Sequence, residues 1–162
     1  MLNKKIALLG AAVAAMVSTG ANAATQTATA EVDIVAAVQL TQDAGLDFGV
    51  VASSAAAGTV TLPTGSNTRA CTAAVTCVGV AQRGQFTVSG ATSGYVVAVT
   101  VPASTTLTSG ANTIALSLNS SLSSFTSTGA SQVFFVGGTL SIAANQAAGT
   151  YTGTYPVSAD YQ

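Results

Sequence analysis

Two cysteines, two neighbouring aspartates and a chain without histidine bound the chemistry available here. Lacking any imidazole, the sequence cannot assemble a Ser-His-Asp or Cys-His nucleophile, nor an imidazole general base. Asp43 and Asp47 flank a turn at Gly45 and could face one another. A glycosidase-type pair also needs a cleft between its two acids, so these read as solvated turn residues. Their spacing does not match the twelve-residue calcium loop with its closing glutamate. Gly137-Gly138 is followed by neither a lysine nor a helical pattern, which excludes a phosphate loop and leaves a bulge or close strand packing. Cys71 and Cys77 are too few for a four-ligand zinc site without histidine and too far apart for a two-residue redox motif. The sequence therefore predicts no catalytic, cofactor or metal site, and a protein that is not an enzyme.

The ends of the chain frame what remains. Lys4 and Lys5 precede an apolar run, Ile6 to Val17, and Ala21-Asn22-Ala23 offers the small residues a signal peptidase accepts. The run is shorter than the ~20 residues needed to cross a bilayer. Residues 1–23 thus read as a cleaved signal peptide, 24–162 as the exported chain, and no membrane span is expected after cleavage. Export with an even cysteine count makes a Cys71–Cys77 disulfide the expectation, clipping the short loop around Thr72 to Thr76. In the chain-entropy model such a loop contributes about 2 kcal/mol. After Ala23 the side chains leave Arg69 and Arg83 against Glu31, Asp33, Asp43, Asp47 and Asp160, a formal charge of −3. Two isolated arginines cannot form the clustered basic surface that nucleic acid requires.

Positioning elements follow from period-two alternation. Ala28, Ala30, Val32, Ile34, Ala36, Val38 and Leu40 share one face of a long first segment. Leu46 to Val51, Thr59 to Leu62, Gln85 to Ser89, Tyr95 to Val101, Ile114 to Leu118, Leu122 to Phe125 and Phe134 to Ile142 continue the pattern, separated by Gly, Pro and Asx turn residues. The tail ends the series: Tyr151, Gly153, Tyr155, Val157, Ala159 and Tyr161 lie on one face, with Pro156 on the other. Alanine-rich Ala55 to Ala57 and Ala143 to Ala148 are too short for ordinary helices. Leu, Ile, Val and Phe make up about a quarter of the chain after Ala23, above the roughly one-fifth level of disordered chains. Seven to nine short strands predict a single all-β domain, an antiparallel sandwich.

Four stretches carry a resemblance: Leu46-Asp47-Phe48-Gly49-Val50, Gln85-Phe86-Thr87-Val88-Ser89-Gly90, Phe135-Val136-Gly137-Gly138-Thr139-Leu140 and Gly149-Thr150-Tyr151-Thr152-Gly153-Thr154-Tyr155. In this order they resemble an exported bacterial family, domain of unknown function 4402, which is similar to chaperone-usher pilin subunits and to spore-coat-U-like domains. The tail, with Gly149 and the penultimate Tyr161, resembles the strand that a periplasmic chaperone captures. The resemblance implies an immunoglobulin-like sandwich lacking one strand and completed by donor-strand exchange. Ala28, Ala30, Val32 and Ile34 in segment 24–35 would be the donor side chains. Gly149, Tyr151, Tyr155, Val157 and Tyr161 would mark the acceptor and chaperone edge.

Two functional classes stay open. One is a structural subunit of a surface filament or fimbria, polymerising with copies of itself, with a periplasmic chaperone and an outer-membrane usher as partners. It would pass through the periplasm to the cell surface or medium. The other is a stand-alone secreted or cell-surface binding or coat domain, contacting a glycan or another surface through loops Ser66 to Val78 or Ser104 to Ala111. Those loops contain no aromatic residue. Segment 24–35 either donates to a neighbour or forms the domain's own first strand.

Overall fold

A computed structural model describes residues 23–162; the proposed signal segment, apart from Ala23, lies outside the described residues. The residues up to Asp33 and those from Ile34 onward form separate units. In the first unit, residues 23–33 are exposed and contain no strand.

The second unit is an all-β, antiparallel sandwich-like domain without helices among the described residues. Its strands in chain order are β1 (Gln39–Ala44), β2 (Val50–Ala52), β3 (Gly58–Leu62), β4 (Ala70–Cys71), β5 (Thr76–Val78), β6 (Gly84–Ser89), β7 (Val96–Thr100), β8 (Ser104–Ser109), β9 (Asn112–Ser120), β10 (Ser124–Thr126), β11 (Gln132–Ile142) and β12 (Ser158–Tyr161). The large sheet runs β1-β6-β11-β3-β4, with β9 also on β11 and β8 on β9. A second sheet runs β10-β7-β12, and β2 and β5 form a separate two-stranded ribbon.

Alternation built these elements as expected. Phe86 and Val88 of β6, Ile114, Leu116 and Leu118 of β9, and Phe134, Val136, Leu140 and Ile142 of β11 point into one core, met from the second sheet by Val97 and Val99. Phe86 stacks on Phe134 with centroids 5.4 Å apart. Long β11 is the hub, because its first half pairs with β6 and its second with β3, while Val136–Ser141 also carries β9. That crowding explains Gly137-Gly138: a Cβ on Gly137 would run into the Leu62 carbonyl, and one on Gly138 into that of Ser117.

Three expectations need correction. The first strand does not extend from residue 27 to 40; β1 begins at Gln39. Its partner β6 ends at Ser89, and Gly90 then turns at φ 76° with the Ala37 carbonyl packed against it, so no ladder remains for earlier residues. Ser104 to Ala111 is not a loop, since β8 pairs with β9 from Ser104 to Ser109. The tail is not one strand: Thr152 bridges Thr108 of β8 in the large sheet, whereas Ser158–Tyr161 pairs with β7 in the second. Pro156 stands between these two pairings, where the tail crosses from one sheet to the other and its missing N–H breaks no ladder.

Candidate functional site: a groove beside an unpaired edge

Where the tail crosses, the core is left partly uncovered. A cavity of about 920 Å³ is floored by Leu107, Ile114, Leu116, Leu140 and Ile142 and walled by Leu46–Ser53 on one side and Gln146–Gly153 on the other. A second, of about 380 Å³, continues it past Leu40, Phe86 and Val157. Leu46, Gly153 and Tyr155 line both, so the two form one apolar groove.

One wall carries a strand edge lacking a partner: among the described residues β2 pairs only with β5. The other wall, Gln146–Gly153, is tail outside any strand, and it touches β8 through the two Thr152–Thr108 backbone bonds, 2.8 and 3.0 Å. Gly153 lets it approach, because a Cβ there would meet the Thr106 carbonyl and the Leu107 side chain. An unpaired edge beside an apolar floor is a surface that can take another strand.

The two walls are tied to each other: the Ser53 hydroxyl donates to the Gln146 carbonyl at 3.0 Å and the Asn145 amide to the Ser54 carbonyl at 2.7 Å. Away from the groove the Tyr161 hydroxyl donates to the Ala36 carbonyl. Of the predicted edge residues, Gly149, Tyr151 and Tyr155 line the wide cavity, and Tyr155 and Val157 the narrow one. Tyr161 lines neither; its ring packs edge-on against Tyr95 at 5.9 Å. The Tyr155 hydroxyl is buried without a hydrogen-bond partner beside Gly84, and burial pushes its pKa above the ordinary tyrosine value. The donor candidates Ala28, Ala30, Val32 and Ile34 are exposed and outside any strand. Val32 keeps 80% and Ile34 90% of its surface in solvent.

The wall formed by β2 is held from behind. Cys71 of β4 and Cys77 of β5 form the expected disulfide, Cα atoms 6.5 Å apart. Cys77 is the cross-strand partner of Val51. Beside it the Arg69 guanidinium donates to the carbonyls of Phe48, Val78 (2.6 Å) and Gly79 (3.2 Å). Sequence reasoning missed Arg69, because nothing local marks an arginine that serves three distant carbonyls.

The carboxylates are occupied separately: Asp43 accepts from the Thr87 hydroxyl and Asp47 from the Gly49 amide, each at 2.7 Å. No group of three or more His, Cys, Asp or Glu suited to a metal occurs among the described residues. Within them, no helix is long and apolar enough to cross a membrane.

A family model described as a domain of unknown function (DUF4402) matches residues 38–161. No curated protein matches the chain.

Proposed function

The chain belongs to the DUF4402 family, and from its groove we propose that it is a non-enzymatic structural subunit that polymerises by taking a strand from a second copy of itself. The observation that carries this is the uncovered apolar groove beside the unpaired edge of β2. Its occupant would be segment 24–35 of a neighbouring copy. Ala28, Ala30, Val32 and Ile34 alternate with polar residues, so one face of an extended strand could cover Leu107, Ile114, Leu116, Leu140 and Ile142 while its backbone pairs with the free edge of β2. Burying Val32 and Ile34 would contribute about 1.5–3 kcal/mol each.

Export is part of the same reading. The Cys71–Cys77 bridge supports an oxidising compartment, and a surface filament or fimbria is the assembly such a subunit would build. Before polymerisation the open groove would need a temporary strand, which a periplasmic chaperone and an outer-membrane usher would supply and exchange.

The test is to delete Ala24–Ala30 from the exported chain. The expected product is monomeric and as stable as the full chain, with its groove open, yet unable to form ladders in which it donates to full-length subunits. A truncated chain that unfolds would assign those residues to its own sheet. A full-length chain that stays monomeric and binds a surface ligand would favour a stand-alone binding or coat domain.

A further inference from the structure

The ribbon β2-β5 forms a groove wall yet belongs to neither large sheet. One short stretch ties it to the large sheet both covalently and through a side chain. Residues 69–71 include the two-residue strand β4, which pairs with β3 through Val60–Cys71 and Thr61–Ala70. From that stretch Cys71 reaches Cys77 of β5 covalently, and Arg69 reaches Val78 and Gly79 behind β5 and Phe48 ahead of β2. Gly49, at φ 67°, is closed in by the Arg69 guanidinium and the Val80 carbonyl, so the chain entering β2 is gripped at its turn. Val51 lines the groove directly opposite Cys77 across the ribbon.

We infer that the Cys71–Cys77 bridge, backed by Arg69, holds the β2 wall in place and that only the oxidised chain presents a groove able to accept a strand. This rests on the groove being a strand acceptor. The device works locally because the floor side chains of β9 and β11 are tied by their own ladder and do not depend on the ribbon. Opening the bridge takes two electrons and two protons from a dithiol, which closes to its own disulfide while Cys71 and Cys77 become thiols. The ribbon then keeps three backbone pairs, the Asp47–Gln82 bridge, the bonds of Ser53 and Ser54 to Gln146 and Asn145, and the Arg69 contacts, a two-stranded element that is marginal without its covalent tie to β4. Arg69 and the cysteines are positioning residues, acting through β2.

The experiment compares the full exported chain, oxidised, reduced with dithiothreitol, and as C71S/C77S, by amide exchange and by binding of a synthetic peptide of residues 24–35. Expected is exchange at Val50–Ala52 at least tenfold faster without the bridge, unchanged exchange in β9 and β11, and peptide affinity at least tenfold weaker. R69M, with the bridge intact, should weaken peptide binding severalfold without slowing oxidation. Equal exchange at Val50–Ala52 in both redox forms overturns the inference, as does equal peptide affinity. Loss of β9 and β11 protection on reduction also overturns it, because the bridge then supports the whole fold. If the oxidised chain fails to bind the peptide, the strand-acceptor reading fails; the exchange comparison still decides whether the bridge holds the wall.

Discussion

The Tyr161 hydroxyl donates to the Ala36 carbonyl at 2.8 Å and accepts from the Thr92 amide at 2.7 Å, while the Ala36 amide donates to the Thr92 hydroxyl at 2.9 Å. The penultimate residue therefore clamps the chain just ahead of β1. One phenol serves two backbone groups, and its ring is held by Tyr95. Tyr161 thus anchors β12 to the segment that leads into β1.

Tyr161→Phe removes both bonds and leaves the Ala36 carbonyl and Thr92 amide to find water. A loss of about 1–2 kcal/mol is expected, read by chemical denaturation, with faster amide exchange confined to Ala36–Val38 and Thr92. No change in either measurement would show that the clamp contributes nothing.

Tyr155 behaves in the opposite sense. Its hydroxyl tip is covered without a partner although its ring is only half-buried. Tyr155→Phe should keep the edge-on contact with Phe86 at 6.4 Å and be neutral or stabilising by up to about 1 kcal/mol. Because the neutral phenol is favoured in the fold, the folded pKa is raised. Its contribution is full below the unfolded value of about 10 and is lost as pH rises through the folded value. The variant should therefore lose less stability than the parent on titration above pH ~10, measured by urea denaturation across that range.

Gly137 and Gly138 test the packing of the hub strand. A methyl group at Gly138 would meet the Ser117 carbonyl and Leu116 between two paired strands, so Gly138→Ala should cost about 1–3 kcal/mol. Gly65, where an added Cβ meets nothing, is the control, with a change within about 0.5 kcal/mol for Gly65→Ala. Thermal denaturation of the two variants separates close strand packing from a general effect of losing glycine.

What the sequence revealed and what it hid follow from the range of the forces involved. Alternation is local, so β6, β7, β9 and β11 could be read from residues such as Phe86, Val97, Leu116 and Phe134. The disulfide followed from the even cysteine count and the expected export. Alternation says nothing about whether a partner strand exists: Ala28 to Ile34 carries a strand's pattern and has no ladder, because β6 stops at Gly90. Ser104–Ser109 hid because its threonines are polar on both faces, its register being set by β9. Of the groove only the tail residues Gly149, Tyr151, Tyr155 and Val157 were legible, since its floor joins Leu107, Ile114 and Leu140 from three strands.

The exposed arm separates stability from assembly. Val32 and Ile34 touch so little of the fold that V32D/I34D should leave the monomer's melting temperature unchanged. Seated in a neighbour's groove, the same carboxylates would face Ile114, Leu140 and Ile142 with nothing to bond, a penalty of several kcal/mol. The doubly substituted 24–35 peptide should then bind the oxidised domain at least a hundredfold more weakly than the natural one, and the substituted chain should form no ladders. V32T/I34T, which keeps strand propensity and adds no charge, should fall between them. Equal binding by the aspartate peptide would mean that these side chains do not enter the groove, and would remove the arm of a second copy as its occupant.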